Sequence, residues 1–232
     1  MNLKGFDIII PVYNEGKNII ELIKYLKDSS INFSKIYICY DFDNETSIQA
    51  IKNSKYSENK NIILIKNSLT GPCEAIKTGF LHSKAQAVVV YPADDFYNGL
   101  LLDKMYNFFL EGYDVVCPSR FIKEGRLKNC PILKYLLVRI ISFTLYYFAR
   151  IKIKDPTNGF RMFSRKFLNS IVIESKEGFA YSIELLIKAK KQNLRVIEIP
   201  SIWIERIDRK SSFKIFKWSV AYLKWYFCAF FI

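Results

Sequence analysis

Residues 87–95 read Ala-Val-Val-Val-Tyr-Pro-Ala-Asp-Asp, an apolar run that leads through Pro92 to two adjacent carboxylates, Asp94 and Asp95. The β-branched residues predict a buried strand, and the carboxylates follow its carboxyl end. In α/β sheets, ligands bind at the carboxyl ends of the strands, where an acidic pair can hold a hard divalent cation against a phosphate-bearing substrate. Asp is also a common turn residue, so a solvated turn is the alternative interpretation.

The same order of strand and then helix extends on both sides of this stretch. Apolar, β-branched runs predict strands at 6–12, 36–40, 62–65, 87–91 and 114–117, and apolar residues at helical spacing predict helices at 18–27, 47–52, 74–83 and 101–111. Strands that alternate with helices form parallel β-α-β units. The sequence therefore predicts an α/β fold with a Rossmann-like, mostly parallel sheet flanked by helices.

Length, charge and cysteine usage narrow the class of protein. The 232 residues, half of them hydrophobic, are enough for one α/β domain with a buried core. The formal charge of +13 favours an anionic partner, and the three candidate classes are nucleic acid, a phosphorylated small molecule and an anionic membrane. Nucleic acid is not expected, because no recognition motif accompanies the lysines. The five cysteines are scattered without C-x-x-C spacing, which is typical of a cytoplasmic, reducing setting.

Two later segments, 131–152 and 213–232, combine aromatic, aliphatic and basic residues. Each is either an ordinary core helix or an amphipathic helix at a membrane interface, with rings such as Trp225 and Phe227 at headgroup depth. We favour the membrane interface, because the two segments share one composition and the sheet already has helices enough to cover it. Neither segment has the roughly 18–20 uninterrupted apolar residues of a membrane span. Asp7 and Pro11 interrupt the first apolar run, so a signal peptide is not expected.

Four polar loops follow or border predicted strands, at 11–15, 41–46, 94–95 and 155–161, and their order resembles that of the family 2 glycosyltransferases, in particular the dolichol- or polyprenyl-phosphate sugar synthases. The similar segments are Ile8-Ile-Ile-Pro-Val-Tyr-Asn-Glu15, 71–79, Ala93-Asp94 as the second half of a D-x-D motif, Asp155-Pro-Thr-Asn-Gly-Phe-Arg161 with 178–184, and 205–218. The resemblance covers essentially the whole chain and implies the GT-A fold. It predicts a GT-A domain over 1–212, including an interface helix at about 131–152, and an amphipathic, aromatic, membrane-proximal segment over 213–232.

For the donor, the resemblance implies a nucleotide-diphosphate sugar carrying UDP or GDP, with magnesium or manganese as the cofactor. Asp94 is then the expected principal metal ligand, and Asp95 is a second ligand or an orienting neighbour. A divalent cation would stabilise the negative charge of the departing diphosphate. The residues expected to bind the nucleotide sugar are Pro11, Tyr13, Glu15, Asp41, Asp43, Ala93, Asp94 and Arg206. A solvated turn is the alternative for Asp41 and Asp43, and a packing ring is the alternative for Tyr13.

For the acceptor, the resemblance implies inverting transfer to a dolichyl or undecaprenyl phosphate in a membrane. This phosphate is already anionic and needs no strong general base, so positioning and charge neutralisation would dominate. The candidates for holding the acceptor phosphate are Arg120, Arg126 and Ser211. Asp155, Arg161 and Glu184 complete the expected catalytic set with Asp94, and one of the two carboxylates would serve as base for a hydroxyl acceptor.

Departures from the family's pattern leave alternatives open. Pro92 replaces the first carboxylate of the metal motif, and the loop at 40–46 lacks the usual D-D-G-S sequence. Arg209 and Ser212 occupy the positions where the family has Gly and Lys. The alternatives are transfer to a glycan hydroxyl in polysaccharide synthesis and a metal-deficient subunit that binds a nucleotide sugar without turnover. We expect a peripheral protein on the cytoplasmic face of the membrane, and a membrane-protein partner is a further option.

Overall fold

A computed structural model describes residues 5–30, 32–205 and 215–231 of the chain. The strands are β1 (Phe6–Pro11), β2 (Phe33–Tyr40), β3 (Ile62–Lys66), β4 (Ala87–Val90), β5 (Val115–Ser119), β6 (Arg126–Lys128), β7 (Arg161–Ser164), β8 (Val196–Pro200) and β9 (Ile202–Ile204). The helices are α1 (Asn18–Ser29), α2 (Thr46–Lys52), α3 (Pro72–His82), α4 (Leu101–Leu110), α5 (Ile132–Tyr147), α6 (Arg165–Asn169), α7 (Tyr181–Lys191) and α8 (Ile215–Cys228), with a 3-10 helix at Ala229–Phe231. Two predicted site residues, Arg206 and Ser211, lie outside the described residues.

Seven strands form the central sheet in the order β3-β2-β1-β4-β7-β5-β8. Neighbouring strands are parallel except at β7, which is antiparallel to both β4 and β5. The predicted mostly parallel sheet with flanking helices is confirmed, although the sequence did not predict β7. Because Arg161 at the start of β7 pairs with Val90 at the end of β4, the residues before β7 lie at the carboxyl edge of the parallel strands.

The central strands contribute alternate residues to two cores, one on each face of the sheet. Ile9 and Val88 belong to one cluster of buried residues, whereas Ile8 and Val89 belong to the other. Helix α3 packs so closely on β1 that a Cβ on Gly79 would stand 2.5 Å from Cγ2 of Ile9. Glycine at this position therefore sets how closely α3 approaches the sheet.

Helix α5 is shorter than the predicted helix at 131–152 and ends at Tyr147. Beyond it, Ile151 and Ile153 are buried while Arg150 and Lys152 are exposed. This alternation with a period of two is the pattern of a half-buried extended segment, so the chain after α5 runs along the core without helical structure.

Helices α5 and α8 turn apolar surfaces outward. Leu145 of α5 and Trp225 of α8 are buried in the same core cluster, but Ile140, Phe143 and Phe227 each expose more than half of their surface. The expectation that Trp225 lies at a membrane interface is wrong, because the phase of α8 turns this ring into the core. Within the described ranges, the helices are all too short or too polar to cross a bilayer.

Candidate active site

The loops predicted to form one site do meet at one edge of the sheet. β1, β2 and β4 are parallel neighbours, so the residues after Pro11, Tyr40 and Val90 leave the sheet on the same side. β5 ends on that side as well, because it is parallel to β8 and antiparallel to β7. This edge, the carboxyl edge, therefore carries the candidate active site.

The adjacent carboxylates Asp94 and Asp95 lie in different environments. Asp95 is 1% exposed, and its oxygens accept hydrogen bonds from the backbone N–H of Tyr97 at 2.8 Å, from the N–H of Asn98 at 3.0 Å and from Nδ2 of Asn98 at 2.6 Å. Burial raises the pKa of the Asp95 carboxyl, although these hydrogen bonds oppose the shift. Such contacts are those of a loop cap, which disfavours the predicted role of Asp95 as a metal ligand.

Asn98 connects this capped loop to the far side of the site. Its Nδ2 donates to the carbonyl of Ile202 at 2.7 Å, and its Oδ1 accepts from the N–H of Ile202 at 3.0 Å. The loop is thereby fixed to β9, which begins at Ile202. Asp94, which is half-buried between the buried Ala93 and Asp95, lies in the same loop at the carboxyl edge.

The loop after β1 is held by a carboxylate that the sequence did not identify as important. Glu45 is fully buried, and its Oε1 accepts from the N–H of Asn14 at 2.6 Å and from Oγ of Ser47 at 2.8 Å. Oγ of Ser47 in turn accepts from the N–H of Glu15 at 3.0 Å. Glu45 caps α2, so a helix-capping position was the only sequence signal for it. These bonds fix the loop that contains Tyr13, a residue 54% exposed and in edge contact with the Phe42 ring.

The two predicted nucleotide-binding carboxylates after β2 differ in their surroundings. Asp41 accepts from Nδ2 of Asn67 and from the N–H of Gly71, both at 2.9 Å, and so connects the ends of β2 and β3 to the start of α3. Asp43 points to solvent with a side chain 83% exposed and forms an ion pair with Lys66 at 2.6 Å. Asp41 is thus built into the carboxyl edge, whereas Asp43 lies in an exposed turn.

Arg120 and Asp155 form a bidentate ion pair at the other half of the site. Nε and Nη2 of Arg120 donate to the two carboxylate oxygens of Asp155 at 2.7 and 2.6 Å, and the backbone N–H of Arg120 donates to the same carboxylate at 2.9 Å. Nη2 also reaches Oγ1 of Thr157 at 3.1 Å. The Asp155 side chain is fully buried and that of Arg120 is 14% exposed. A carboxylate bonded in this way holds the guanidinium in a fixed orientation.

Glu198 on β8 supports the Arg120–Asp155 ion pair by holding the backbone that carries Asp155. Its Oε1 accepts from the N–H of Lys154 at 2.9 Å and from the N–H of Asp155 at 3.1 Å, across 43 residues of sequence. Burial raises the pKa of the Glu198 carboxyl, while these backbone donors and Ser119 act in the opposite direction. No local sequence pattern indicates Glu198, because its partners are brought to it only by the folding of the chain.

We expect Glu198→Ala to lower the free energy of unfolding by about 2 kcal/mol, since two backbone N–H groups lose their acceptor at roughly 1 kcal/mol each. Glu198→Gln keeps an oxygen acceptor and should be much milder. Because the folded state raises the Glu198 pKa, wild-type stability should fall as pH rises from the ordinary Glu pKa through the raised value, whereas the Gln variant lacks this component. Urea unfolding of both variants between pH 4 and pH 8 measures these differences, and parallel pH profiles for wild type and Glu198→Gln would contradict this assignment.

Arg161 and Glu184, both predicted to be catalytic, are fully buried and bind the protein's own backbone. The Arg161 guanidinium donates to the carbonyls of Asp155, Pro156 and Ser182. These bonds hold the loop that carries Asp155, which gives Arg161 a positioning role.

Glu184 accepts from the N–H groups of Glu174 and Ser175 at 2.7 and 2.8 Å and forms an ion pair with Lys188 at 2.7 Å. Its oxygens therefore bind the backbone of the segment before α7. These contacts are typical of a structural residue and disfavour the predicted role of Glu184 as a catalytic base.

The remaining predicted phosphate ligand, Arg126, is exposed on β6 and donates to the carbonyl of Gly125. Sequence reasoning missed a different arginine. The Phe121 ring lies 5.2 Å from the Arg120 guanidinium and 4.7 Å from that of Arg139 on α5, and it packs edge-on against Tyr135. The Phe121 ring therefore connects the Arg120 end of the site to the apolar helix α5.

In the part of the chain that the structure describes, no three His, Cys, Asp or Glu side chains lie close enough together to hold a metal ion. Asp94 is half-buried in the loop that follows β4 at the carboxyl edge.

Comparison with known proteins supports the fold. A glucosyl-3-phosphoglycerate synthase from Mycobacterium tuberculosis, solved with Mn²⁺, UDP-glucose and phosphoglyceric acid, superposes with a TM-score of 0.73 at 13% identity, covering 99% of this chain and 80% of that chain. The same enzyme has been solved with Mg²⁺ and UDP, with a TM-score of 0.71. At this identity the likeness concerns the fold, and it confirms the GT-A architecture.

Named relatives also match most of the chain. The dolichol-phosphate mannosyltransferase of Pyrococcus furiosus is 26% identical over 212 residues, which are 89% of this chain and 58% of that protein. The polyprenol monophosphomannose synthase of Mycolicibacterium smegmatis is 22% identical over 229 residues, which are 92% of this chain and 86% of that protein. The chain thus spans less than two thirds of the Pyrococcus protein.

The family model described as glycosyl transferase family 2 matches residues 7–172, which is well over half of the chain. The matched range contains the loops after β1, β2, β4 and β5 and the segment that leads into β7. With the GT-A fold, this match shows that the chain is a glycosyltransferase and belongs to glycosyl transferase family 2.

Proposed function

We propose that this glycosyltransferase moves a sugar, with inversion, from a nucleotide-diphosphate sugar to a polyprenyl phosphate in a membrane. The observation that carries the proposal is the contact through Phe121 between the oriented guanidinium of Arg120 and the apolar helix α5. An anion-binding group beside an apolar surface suits an acceptor whose charged phosphate is attached to a hydrocarbon chain. The names of the Pyrococcus and Mycolicibacterium relatives support the same acceptor class.

In this proposal the donor lies over the carboxyl ends of β1, β2 and β4. The exposed Tyr13 and the tethered Asp41 would border its base and ribose, with Pro11, Glu15 and Ala93 lining the same side. UDP and GDP remain the two candidate nucleotides, and the structural neighbour from Mycobacterium tuberculosis has been solved with UDP and with UDP-glucose.

Asp94 is the proposed ligand for magnesium or manganese. Magnesium is usually bound through one or two carboxylates together with substrate phosphates and waters, and a single half-buried carboxylate beside the donor fits that requirement. The bound cation would stabilise negative charge on the leaving diphosphate. With Pro92 in place of the motif's first carboxylate, the donor diphosphate and waters would supply the remaining oxygens.

The acceptor phosphate attacks without a strong general base, because it is already anionic. This requirement agrees with the state of Asp155, whose two oxygens are taken up by Arg120. Arg120 would hold the acceptor phosphate, Asp155 and Thr157 would hold Arg120, and Glu198 would hold the backbone of Asp155. A hydroxyl acceptor would instead need a free base, and the saturated Asp155 and the internally bonded Glu184 both disfavour that role.

Because the acceptor is a membrane lipid, the proposed site of action is the cytoplasmic surface of a membrane, where nucleotide sugars are available. The protein would be peripheral there, alone or with a membrane-protein partner. The net charge of +13 favours an anionic surface.

The proposal is tested by incubating the full chain with a panel of radiolabelled UDP- and GDP-sugars, Mg²⁺ or Mn²⁺, and a short-chain polyprenyl phosphate in detergent. Label in the lipid fraction with one donor is the expected result. Label in added oligosaccharides but none in the lipid would replace the acceptor by a glycan hydroxyl, and tight nucleotide binding without any transfer would indicate a binding subunit.

A further inference from the structure

We propose that Asn98 is a positioning residue, whose side chain sets the place of Asp94 relative to Arg120. Both Asp94 and Asn98 lie between β4 and α4, in residues 91–100, which are called the Asp94 loop below. The inference rests on the proposed function, because that proposal makes Asp94 the ligand of the donor cation. It goes further by assigning the placement of this carboxylate to a residue that the proposed function leaves without a role.

The Asn98 side chain is buried and uses both ends of its amide. The residue is 3% exposed, and its Nδ2 donates to Asp95 at 2.6 Å and to the carbonyl of Ile202 at 2.7 Å. Its Oδ1 accepts from the N–H of Ile202 at 3.0 Å. One side chain therefore bonds both backbone groups of Ile202, as a neighbouring strand would. An amide can donate and accept at the same time, which is the requirement at this position.

Strand β9, to which Asn98 is bonded, is itself held next to Arg120. Ser201, the residue before β9, donates its N–H to the carbonyl of Ser119 at 2.9 Å, and Ser119 directly precedes Arg120. The carbonyl of Ser201 accepts from the N–H of Arg126 on β6, also at 2.9 Å. The connection from the Asp94 loop to Arg120 thus runs through hydrogen-bonded backbone groups, which hold the two halves of the site at a fixed separation.

Other hydrogen bonds hold the Asp94 loop to a different part of the molecule. The hydroxyl of Tyr25 on α1 accepts from the N–H of Gly99 at 2.9 Å, and the hydroxyl of Tyr91 donates to the carbonyl of Asp95 at 3.1 Å. These bonds tie the loop to α1 and to the end of β4, whereas Asn98 ties it to a strand 104 residues later in the chain. Loss of the Asn98 side chain should therefore leave the loop folded but free to shift relative to Arg120.

Such a shift should affect the donor cation more than the acceptor. Loss of a residue that orients a metal ligand typically costs roughly 10–100-fold in metal affinity or activity. We expect Asn98→Ala to weaken Mn²⁺ binding in the presence of nucleotide by this factor and to lower kcat. The KM for the acceptor should change little, because Arg120 keeps its bonds to Asp155.

The inference is tested by titrating the full chain with Mn²⁺ in the presence of UDP or GDP, without acceptor, and following the electron paramagnetic resonance signal of free Mn²⁺. Wild type should bind Mn²⁺ with one of the two nucleotides, and Asn98→Ala should bind it roughly 10–100-fold more weakly. Asn98→Ser keeps a polar group but is too short to reach β9, so it should show the same weakening. This second variant provides the measurement if the Ala variant does not fold.

Ser83→Ala is the matched control. It removes a buried hydrogen bond of 2.7 Å from Ser83 to Asp7, which lies near the amino end of β1 and so at the edge of the sheet opposite the site. This variant should be less stable than wild type but should keep the wild-type affinity for Mn²⁺. Equal weakening by Ser83→Ala and Asn98→Ala would attribute the effect to stability and overturn the inference.

Wild-type affinity in both Asn98 variants would also overturn the inference. Failure of wild type to bind Mn²⁺ with either nucleotide would reject the proposed donor site, and the role of Asn98 with it. The acceptor is tested separately by the transfer assay with polyprenyl phosphate. If Mn²⁺ binding depends on Asn98 but the lipid receives no label, the proposed acceptor is wrong and the positioning role of Asn98 stands.

Discussion

Asp94→Asn should lower the rate of sugar transfer by a factor on the order of 10²–10³, the size of effect seen when one group that stabilises developing negative charge is removed. Asn keeps the shape of the side chain but loses the charge that would hold the divalent cation against the donor diphosphate. Because Asp94 is half-buried at the carboxyl edge, the unfolding temperature should change little. Initial rates at saturating donor over a range of Mg²⁺ and Mn²⁺ concentrations, together with thermal unfolding, measure both quantities.

The neighbouring Asp95→Ala is the matched control and should show the opposite pattern. Its removal leaves two backbone N–H groups without an acceptor and takes away one of the two acceptors of Asn98 Nδ2, which costs about 3 kcal/mol of folding free energy at roughly 1 kcal/mol for each lost hydrogen bond. Transfer by the protein that remains folded should be affected less than by Asp94→Asn. If Asp94→Asn kept the wild-type rate and the same metal dependence, Asp94 could not be the ligand.

The sequence was sufficient to predict where the site lies, for a physical reason. Loops after parallel strands meet at one edge, so the run that ends at Asp94 and the loops that follow Pro11 and Tyr40 had to converge once the alternation of strand and helix was recognised. The segment before β7 joined them by a different route, since β7 is antiparallel and begins beside the end of β4. Its place in the site was predicted through the family resemblance, because no periodicity of the sequence indicates it.

The sequence could not assign roles to individual carboxylates, because burial and hydrogen bonding decide them. Asp94 and Asp95 are identical neighbours, yet Asp94 is half-buried whereas Asp95 is a fully bonded, buried cap. Glu198 acts across 43 residues, a separation that hides it from any local pattern. The same limit applies to Trp225 and Phe227, since two residues are enough to reverse the side of a helix and only the position of the core tells which ring is covered.

Arg120→Ala is expected to have the largest combined effect, with a loss of about 3–5 kcal/mol in folding free energy, because it leaves the fully buried Asp155 carboxylate without its partner. Transfer should also fall, chiefly through a raised KM for the polyprenyl phosphate. Arg120→Lys keeps the charge but loses the bidentate geometry, and it should fall between wild type and Ala in both properties. Urea unfolding and steady-state kinetics with varied acceptor measure these changes.

The double substitution Arg120→Met with Asp155→Leu separates folding from phosphate binding. Replacing a buried ion pair by apolar groups of similar volume is often close to neutral, so the double variant should recover about 2 kcal/mol relative to Arg120→Ala. The recovery stays incomplete, because the backbone N–H of residue 120 still lacks the acceptor it has in Asp155. Transfer should remain lost, because the cation that would hold the acceptor phosphate is gone. If transfer returned together with stability, Arg120 would serve the fold alone, and the acceptor phosphate would have to be held by a different cation, for which Arg139 beside the same Phe121 ring is a candidate.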